Sequence, residues 1–159
     1  LKRSAIFGPG VVAICYEGLP WFTGAAIFTV SLPNKEILMV LTLYALGAHG
    51  IMTMNDFKAT KGDKLLGVNS LPVILGSKSA TLVACLIMLF PQLVVISLFY
   101  FWGSLILALT LAFCVLLQAS SMAFLMRDPE KNTPFFNMTG VLLYITGMML
   151  SANGLYLMN

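Results

Sequence analysis

Acidic residues are scarce in this sequence, with six among 159 positions, and two of them fall in one short stretch. Asp56 and Asp63 stand seven residues apart within Gly47-Ala48-His49-Gly50-Ile51-Met52-Thr53-Met54-Asn55-Asp56-Phe57-Lys58-Ala59-Thr60-Lys61-Gly62-Asp63-Lys64. Seven residues is close to two helical turns, so a continuous helix would carry both carboxylates on one face, about 10 Å apart along its axis. That separation is too wide for both to grip one small ion. It suits magnesium ions that bridge to a diphosphate lying between them, since Mg²⁺ binds through one or two carboxylates plus phosphates and water. Lys58, Lys61 and Lys64 flank the pair and could hold phosphate oxygens as point charges. The same lysines also fit a solvated loop.

His49, the single histidine, precedes Asp56 by seven residues and extends the stripe inward. It could ligate a tetrapyrrole metal, hydrogen-bond a substrate carboxylate, act as a base, or simply bond a neighbouring helix. Glu17, in Cys15-Tyr16-Glu17-Gly18-Leu19-Pro20-Trp21, is a second polar group inside an apolar run. Ionisable groups at such depth face a bundle interior or a cavity and are functional candidates. Pro20 is expected to kink or end its helix. Further on, Gly67 and Pro72 are expected to break any helix, making 67–76 a shaped loop that closes over a cavity.

The elements that position these residues must be membrane helices. Hydrophobic residues make up 59% of the chain and charged ones 9%, against about 25% charged in a soluble domain. Mean hydropathy is +0.93. This excludes a soluble enzyme, a nucleic-acid-binding domain and a disordered chain. No charge occurs between Lys78 and Arg127 or after Lys131. The fold class is an all-α integral membrane bundle of about five helices, forming one transmembrane region over 1–159. The spans are expected near 7–30, 37–54, 79–99, 104–126 and 138–157. Lys and Arg alternate between connections. The N-terminus (Lys2, Arg3), the loop 55–78 and the connection 127–137 are assigned to the cytoplasm, and the C-terminus to the outside. Gly140, Gly147 and Gly154 share a face that lets a neighbouring helix approach. Cys15, Cys85 and Cys114 lie in apolar runs without metal-ligand spacing. The opening Leu1-Lys2-Arg3-Ser4 has no initiator Met and reads as an internal start.

Asn55-Asp56-Phe57-Lys58, Gly62-Asp63 and Gly67-Val68-Asn69-Ser70-Leu71-Pro72-Val73 resemble the second aspartate motif of the bacteriochlorophyll synthases, chlorophyll-synthase-type members of the UbiA intramembrane prenyltransferase superfamily. Cys15 to Trp21, Gly47 to Met52 and Pro91-Gln92-Leu93-Val94-Val95-Ile96 are similar to the same family. The resemblance covers the whole chain and corresponds to the C-terminal half of that fold. It implies Mg²⁺-dependent esterification of the bacteriochlorophyllide propionate by a geranylgeranyl or phytyl diphosphate, in the inner or intracytoplasmic membrane of a bacterium. It also implies that Asp56 and Asp63 are the Mg²⁺–diphosphate ligands, with Asn55 and Lys58 as supporting contacts; Lys64, His49 and Glu17 stand as candidate substrate contacts on their own charge and position. Three departures stand out. Lys61 replaces the family's usual acid, Lys64 its usual Arg, and the first aspartate motif is not in these residues. The expectation is therefore that these 159 residues alone are inactive. The alternative is a catalytically silent relative, an accessory membrane subunit beside other pigment-biosynthesis or photosynthetic proteins.

Overall fold

A computed structural model describes residues 4–29 and 31–158. Lys2 and Arg3, which anchor the expected orientation of the N-terminus, lie outside the described residues. Five helical stretches are long and apolar enough to cross a membrane: Phe7–Ile27, Lys35–Lys58, Ser77–Phe101, Leu105–Leu125 and Pro129–Met158. Among the described residues there is no strand, only an isolated parallel bridge between Ser4 and Asn69.

The first span does not end at Pro20. It runs as α1 (Phe7–Ala13), a π-helical turn (Ile14–Gly18) and α2 (Leu19–Thr29). Proline at position 20 supplies no N–H to the Tyr16 carbonyl, and its ring crowds that oxygen. Widening the preceding turn to π geometry absorbs the defect, so of the two expected outcomes, a kink or an end, the helix bulges and continues. Gly18 lies at the bulge, where an added Cβ would sit 3.4 Å from Ala45.

Helix α3 (Lys35–Asn55) starts cleanly because the Asn34 side chain accepts a hydrogen bond from the Ile37 N–H at 2.9 Å. Glu36 in its first turn suits the helix dipole. This helix is the centre of the bundle. It packs against α1, against α6 (Ser77–Phe101) and against α8 (Pro129–Met158), while α7 (Leu105–Leu125) pairs with α8. (Two short helices, α4 over Thr60–Leu65 and α5 over Leu71–Leu75, belong to the loop described below.). The buried set Val40, Tyr44, Met54, Ala84, Met88 and Tyr144 forms its seam. Small residues let the helices close up, as membrane interfaces require when water supplies no drive for association. Gly147 faces the Tyr44 hydroxyl and Leu111, and Gly154 faces Leu107 and Phe99. Two of the three glycines in the fifth span therefore accept neighbouring helices.

A polar relay fixes the α3–α8 register. The Tyr144 hydroxyl donates to the Tyr44 carbonyl. The Tyr44 hydroxyl donates to Ser151 Oγ at 2.9 Å, and Ser151 donates to the Gly147 carbonyl at 2.8 Å. The two tyrosine rings meet edge-on with centroids 5.4 Å apart. Removing one such bond inside a membrane protein costs about 0.6 kcal/mol and at most about 1.7. Tyr144→Phe is expected to lower stability by about that amount without unfolding the protein, as thermal unfolding in detergent will read.

Helix α8 begins at Pro129, well before the expected 138. At about 1.5 Å per residue, 30 residues reach about 45 Å, longer than the roughly 30 Å of hydrocarbon. Its first turns therefore extend beyond the apolar layer. Cys15 is exposed, Cys85 and Cys114 are buried, and all three are free thiols.

Candidate functional site

The helix does not continue unbroken through Asp63. Helix α3 ends at Asn55, a 3₁₀ turn covers Asp56–Lys58, and a short α4 spans Thr60–Leu65. Asn55 and Asp56 are weak helix formers. Phe57 is drawn into the core at 7% exposure, which twists the turn. The Thr60 hydroxyl bonds the Phe57 carbonyl at 3.0 Å, offering the backbone a partner outside a regular helix. The stripe of His49, Asp56 and Asp63 is thus broken, and the 10 Å helical spacing does not apply.

The fold nevertheless brings the two aspartates to one cavity. A space of about 590 Å³ is bounded by Asn55, Asp56 and Asp63, by Met52 and Ala59, and by Ser4, Gly8, Pro9, Val11 and Val12 at the start of the chain. Val68 and Ser70 complete its wall. Asp63 is buried at 7% exposure, and its carbonyl accepts the Val68 N–H at 2.8 Å, tying α4 to the following loop. Asp56 is half-buried. The cavity lies where the second apolar span ends at Lys58. One side carries acids and amide, and the α1 side is aliphatic. Such a space can take a molecule with a charged head and a hydrocarbon tail.

The segment 67–76 is shaped as expected at Gly67, whose φ of 65° suits glycine. Pro72 behaves differently. It sits in the first turn of α5 (Leu71–Leu75) and starts that helix where a break was expected. The bridge from Asn69 to Ser4 straps this loop against the start of α1.

The other candidates are placed elsewhere. The exposed side chains of Lys58, Lys61 and Lys64 do not line the cavity. His49 Nε2–H donates to the Ile6 carbonyl at 3.0 Å, and the Thr53 hydroxyl lies 3.4 Å from Nδ1. It clips α3 to the N-terminal end of α1 beside Gly10, outside the cavity. His49→Phe is expected to cost about 1 kcal/mol of stability and to leave turnover within about threefold. A loss of turnover beyond tenfold with unchanged unfolding would return the histidine to chemistry. Glu17 borders a separate space of about 340 Å³ with Tyr16, Pro20, Trp21, Met148, Met149 and Ala152. It stands in the π turn, a feature common at functional sites. Sequence reasoning overlooked Ser70 and the α1 wall. The signal for Ser70 was available, since Ser-Leu-Pro is a helix-start pattern.

Among the described residues no group of three or more His, Cys, Asp or Glu could hold a metal unaided. Two acids on one cavity wall fit the other mode, in which magnesium completes its shell with substrate phosphates and water.

The UbiA prenyltransferase family model matches residues 1–151. The chain is 51% identical over 152 residues to the bacteriochlorophyll synthase 33 kDa chain of Cereibacter sphaeroides, covering 96% of this chain and 50% of the relative. It is 42% identical over 154 residues to the bacteriochlorophyll synthase 34 kDa chain of Chloroflexus aurantiacus, covering 97% and 49%. The chloroplastic chlorophyll synthase of Avena sativa is 29% identical over 153 residues, covering 96% and 40%. The chain spans about half the length of the bacterial relatives it matches. No solved structure matches it.

Proposed function

From its membership of the UbiA prenyltransferase family, we propose that the chain supplies one half of a site that esterifies the propionate of bacteriochlorophyllide with a prenyl diphosphate. The observation that carries this reading is the convergence of Asp56 and Asp63 on one cavity with an aliphatic wall. Its support from relatives is their description as bacteriochlorophyll synthases at 42% to 51% identity.

Asp56 and Asp63 would hold Mg²⁺, with Asn55 beside them. When bound, the ion neutralises the diphosphate and makes it a better leaving group. Pro9, Val11, Val12 and Met52 seat the first part of the prenyl chain and keep water from the reacting carbon. The allylic C1–O bond breaks, the diphosphate takes the bonding pair, and a propionate oxygen forms the new C1–O bond. The products are the ester and pyrophosphate, so no proton need be supplied for balance. Glu17 and Trp21, in the second space, are candidates for contact with the tetrapyrrole. The excess of Lys on the 55–78 loop supports a cytoplasmic position for the aspartate cavity, where a water-soluble diphosphate would arrive.

Lys61, the residue that departs from the family pattern, is exposed and outside the cavity wall. Its charge therefore acts from the rim, across solvent that screens it. This favours the catalytic reading over an accessory subunit. The test is esterification by the complete polypeptide in detergent or nanodiscs. Chelation with EDTA is expected to remove activity and Mg²⁺ to restore it. Full turnover in the chelated enzyme would sink the magnesium assignment.

A further inference from the structure

Ser70 is an N-cap residue that does not cap. Its backbone is extended, with φ −72° and ψ 157°, and it immediately precedes α5. An N-cap serine ordinarily turns its oxygen to the N–H of the second or third helical residue. Here the second is Pro72, which has no N–H. The third, Val73, gives its N–H to the Ser70 carbonyl at 3.0 Å. The Ser70 side chain makes no cap bond. Its Oγ is buried without a partner, in a residue only 5% exposed. A buried hydroxyl left without a partner is costly, so this placement calls for a ligand or another explanation.

Ser70 lines the same cavity as Asp56 and Asp63. The chemistry of that wall says what the hydroxyl can serve. Carboxylates only accept hydrogen bonds. No Lys, Arg or His is among the described residues of the wall. A phosphate oxygen needs donors, and the side-chain donors here are the Asn55 amide and the Ser4 and Ser70 hydroxyls. Ser4 already accepts the Phe7 N–H at 3.3 Å. Serine has three staggered χ1 positions and a freely turning O–H, so Ser70 can reorient without moving the backbone.

We propose that Ser70 is an oxyanion-binding residue whose hydroxyl donates to a phosphate oxygen of a diphosphate held beside Asp56 and Asp63. This rests on the reading of the cavity as a prenyl diphosphate site and adds a donor to it. The Ser4–Asn69 bridge holds the loop that carries the hydroxyl.

The test is calorimetric binding of inorganic pyrophosphate with Mg²⁺ to the complete polypeptide, paired with thermal unfolding. Ser70→Ala is expected to weaken binding roughly 10- to 100-fold, the usual effect of losing a hydrogen bond to a charged group. Its unfolding temperature should stay within about 2 °C or rise, because no bond within the fold is lost. Ser70→Thr, which keeps the hydroxyl, should bind within about fivefold of wild type. Equal binding by wild type and Ser70→Ala overturns the inference and leaves the proposed function standing. A weaker Ser70→Ala that also unfolds well below wild type overturns it too, by showing a structural bond. If wild type binds no pyrophosphate, the reading of the cavity fails and takes Ser70 with it.

Discussion

Asp56→Ala in the complete polypeptide is expected to abolish the proposed prenyl transfer, with turnover falling at least about 10³-fold. The magnitude follows from the role. A single preorganised group at a charge-developing centre is worth about 10²- to 10³-fold, and a metal ligand also sets where the diphosphate lies. Asp56 sits in the 3₁₀ turn and is half-buried, so its truncation leaves the core of the bundle intact. Asp63→Asn should be comparably severe, although it keeps the shape of the buried side chain. Lys58→Ala serves as the contrast. That side chain is exposed and outside the cavity, so a loss below about fivefold is expected. Steady-state esterification with unfolding controls checks all three. Wild-type turnover in Asp56→Ala would end the assignment.

The largest structural effect is expected at Gly50. A Cβ there would meet the carbonyl oxygen of Ala84 and come within 2.5 Å of Met88 Cγ. The Met88 side chain could shift, but the Ala84 oxygen belongs to the backbone of α6. Helix α3 can then accommodate a side chain only by moving away from α6. Overpacking a core costs about 1–3 kcal/mol where side chains can adjust. Gly50→Ala is expected at the upper end of that range, and Gly50→Leu should yield no folded protein. Gly154→Ala makes the comparison, because the atom in the way is the flexible end of Leu107. Its cost should be smaller, as thermal unfolding in detergent will show. The effect bears on function, since α3 ends at Asn55 and carries the aspartate turn.

The five spans were legible because membrane helices announce themselves by length and hydropathy, and these two quantities vary little with packing. The start of α8 was not. Hydropathy reports the apolar part of a helix, whereas this one begins earlier, at Pro129 and Glu130, in a polar stretch. The second span was expected to end near residue 54, as it does, but the tight turn that follows was hidden for a different reason. No Gly or Pro stands between residues 55 and 61, and the turn forms because Phe57 is pulled into the core. A regular helix through that point would set the lysines around the acids and His49 in line with them. Once the helix breaks, the lysines face water and His49 meets the carbonyl of Ile6. The two acids stay together because the loop folds back, a tertiary contact that spacing does not encode. Pro20 and Pro72 show the same limit. Proline marks a change of geometry, but whether it becomes a π bulge or a helix start depends on its neighbours.

In the proposed function, Asp56 and Asp63 hold a metal-bound diphosphate between them. Its most direct test is an anomalous-scattering map of the complete protein with Mn²⁺ in place of Mg²⁺ and a non-hydrolysable prenyl diphosphate. Manganese is expected in the cavity, at about 2.0–2.2 Å from a carboxylate oxygen of each aspartate. Manganese bound elsewhere, with the two carboxylates contacting neither metal nor phosphate, would contradict the account.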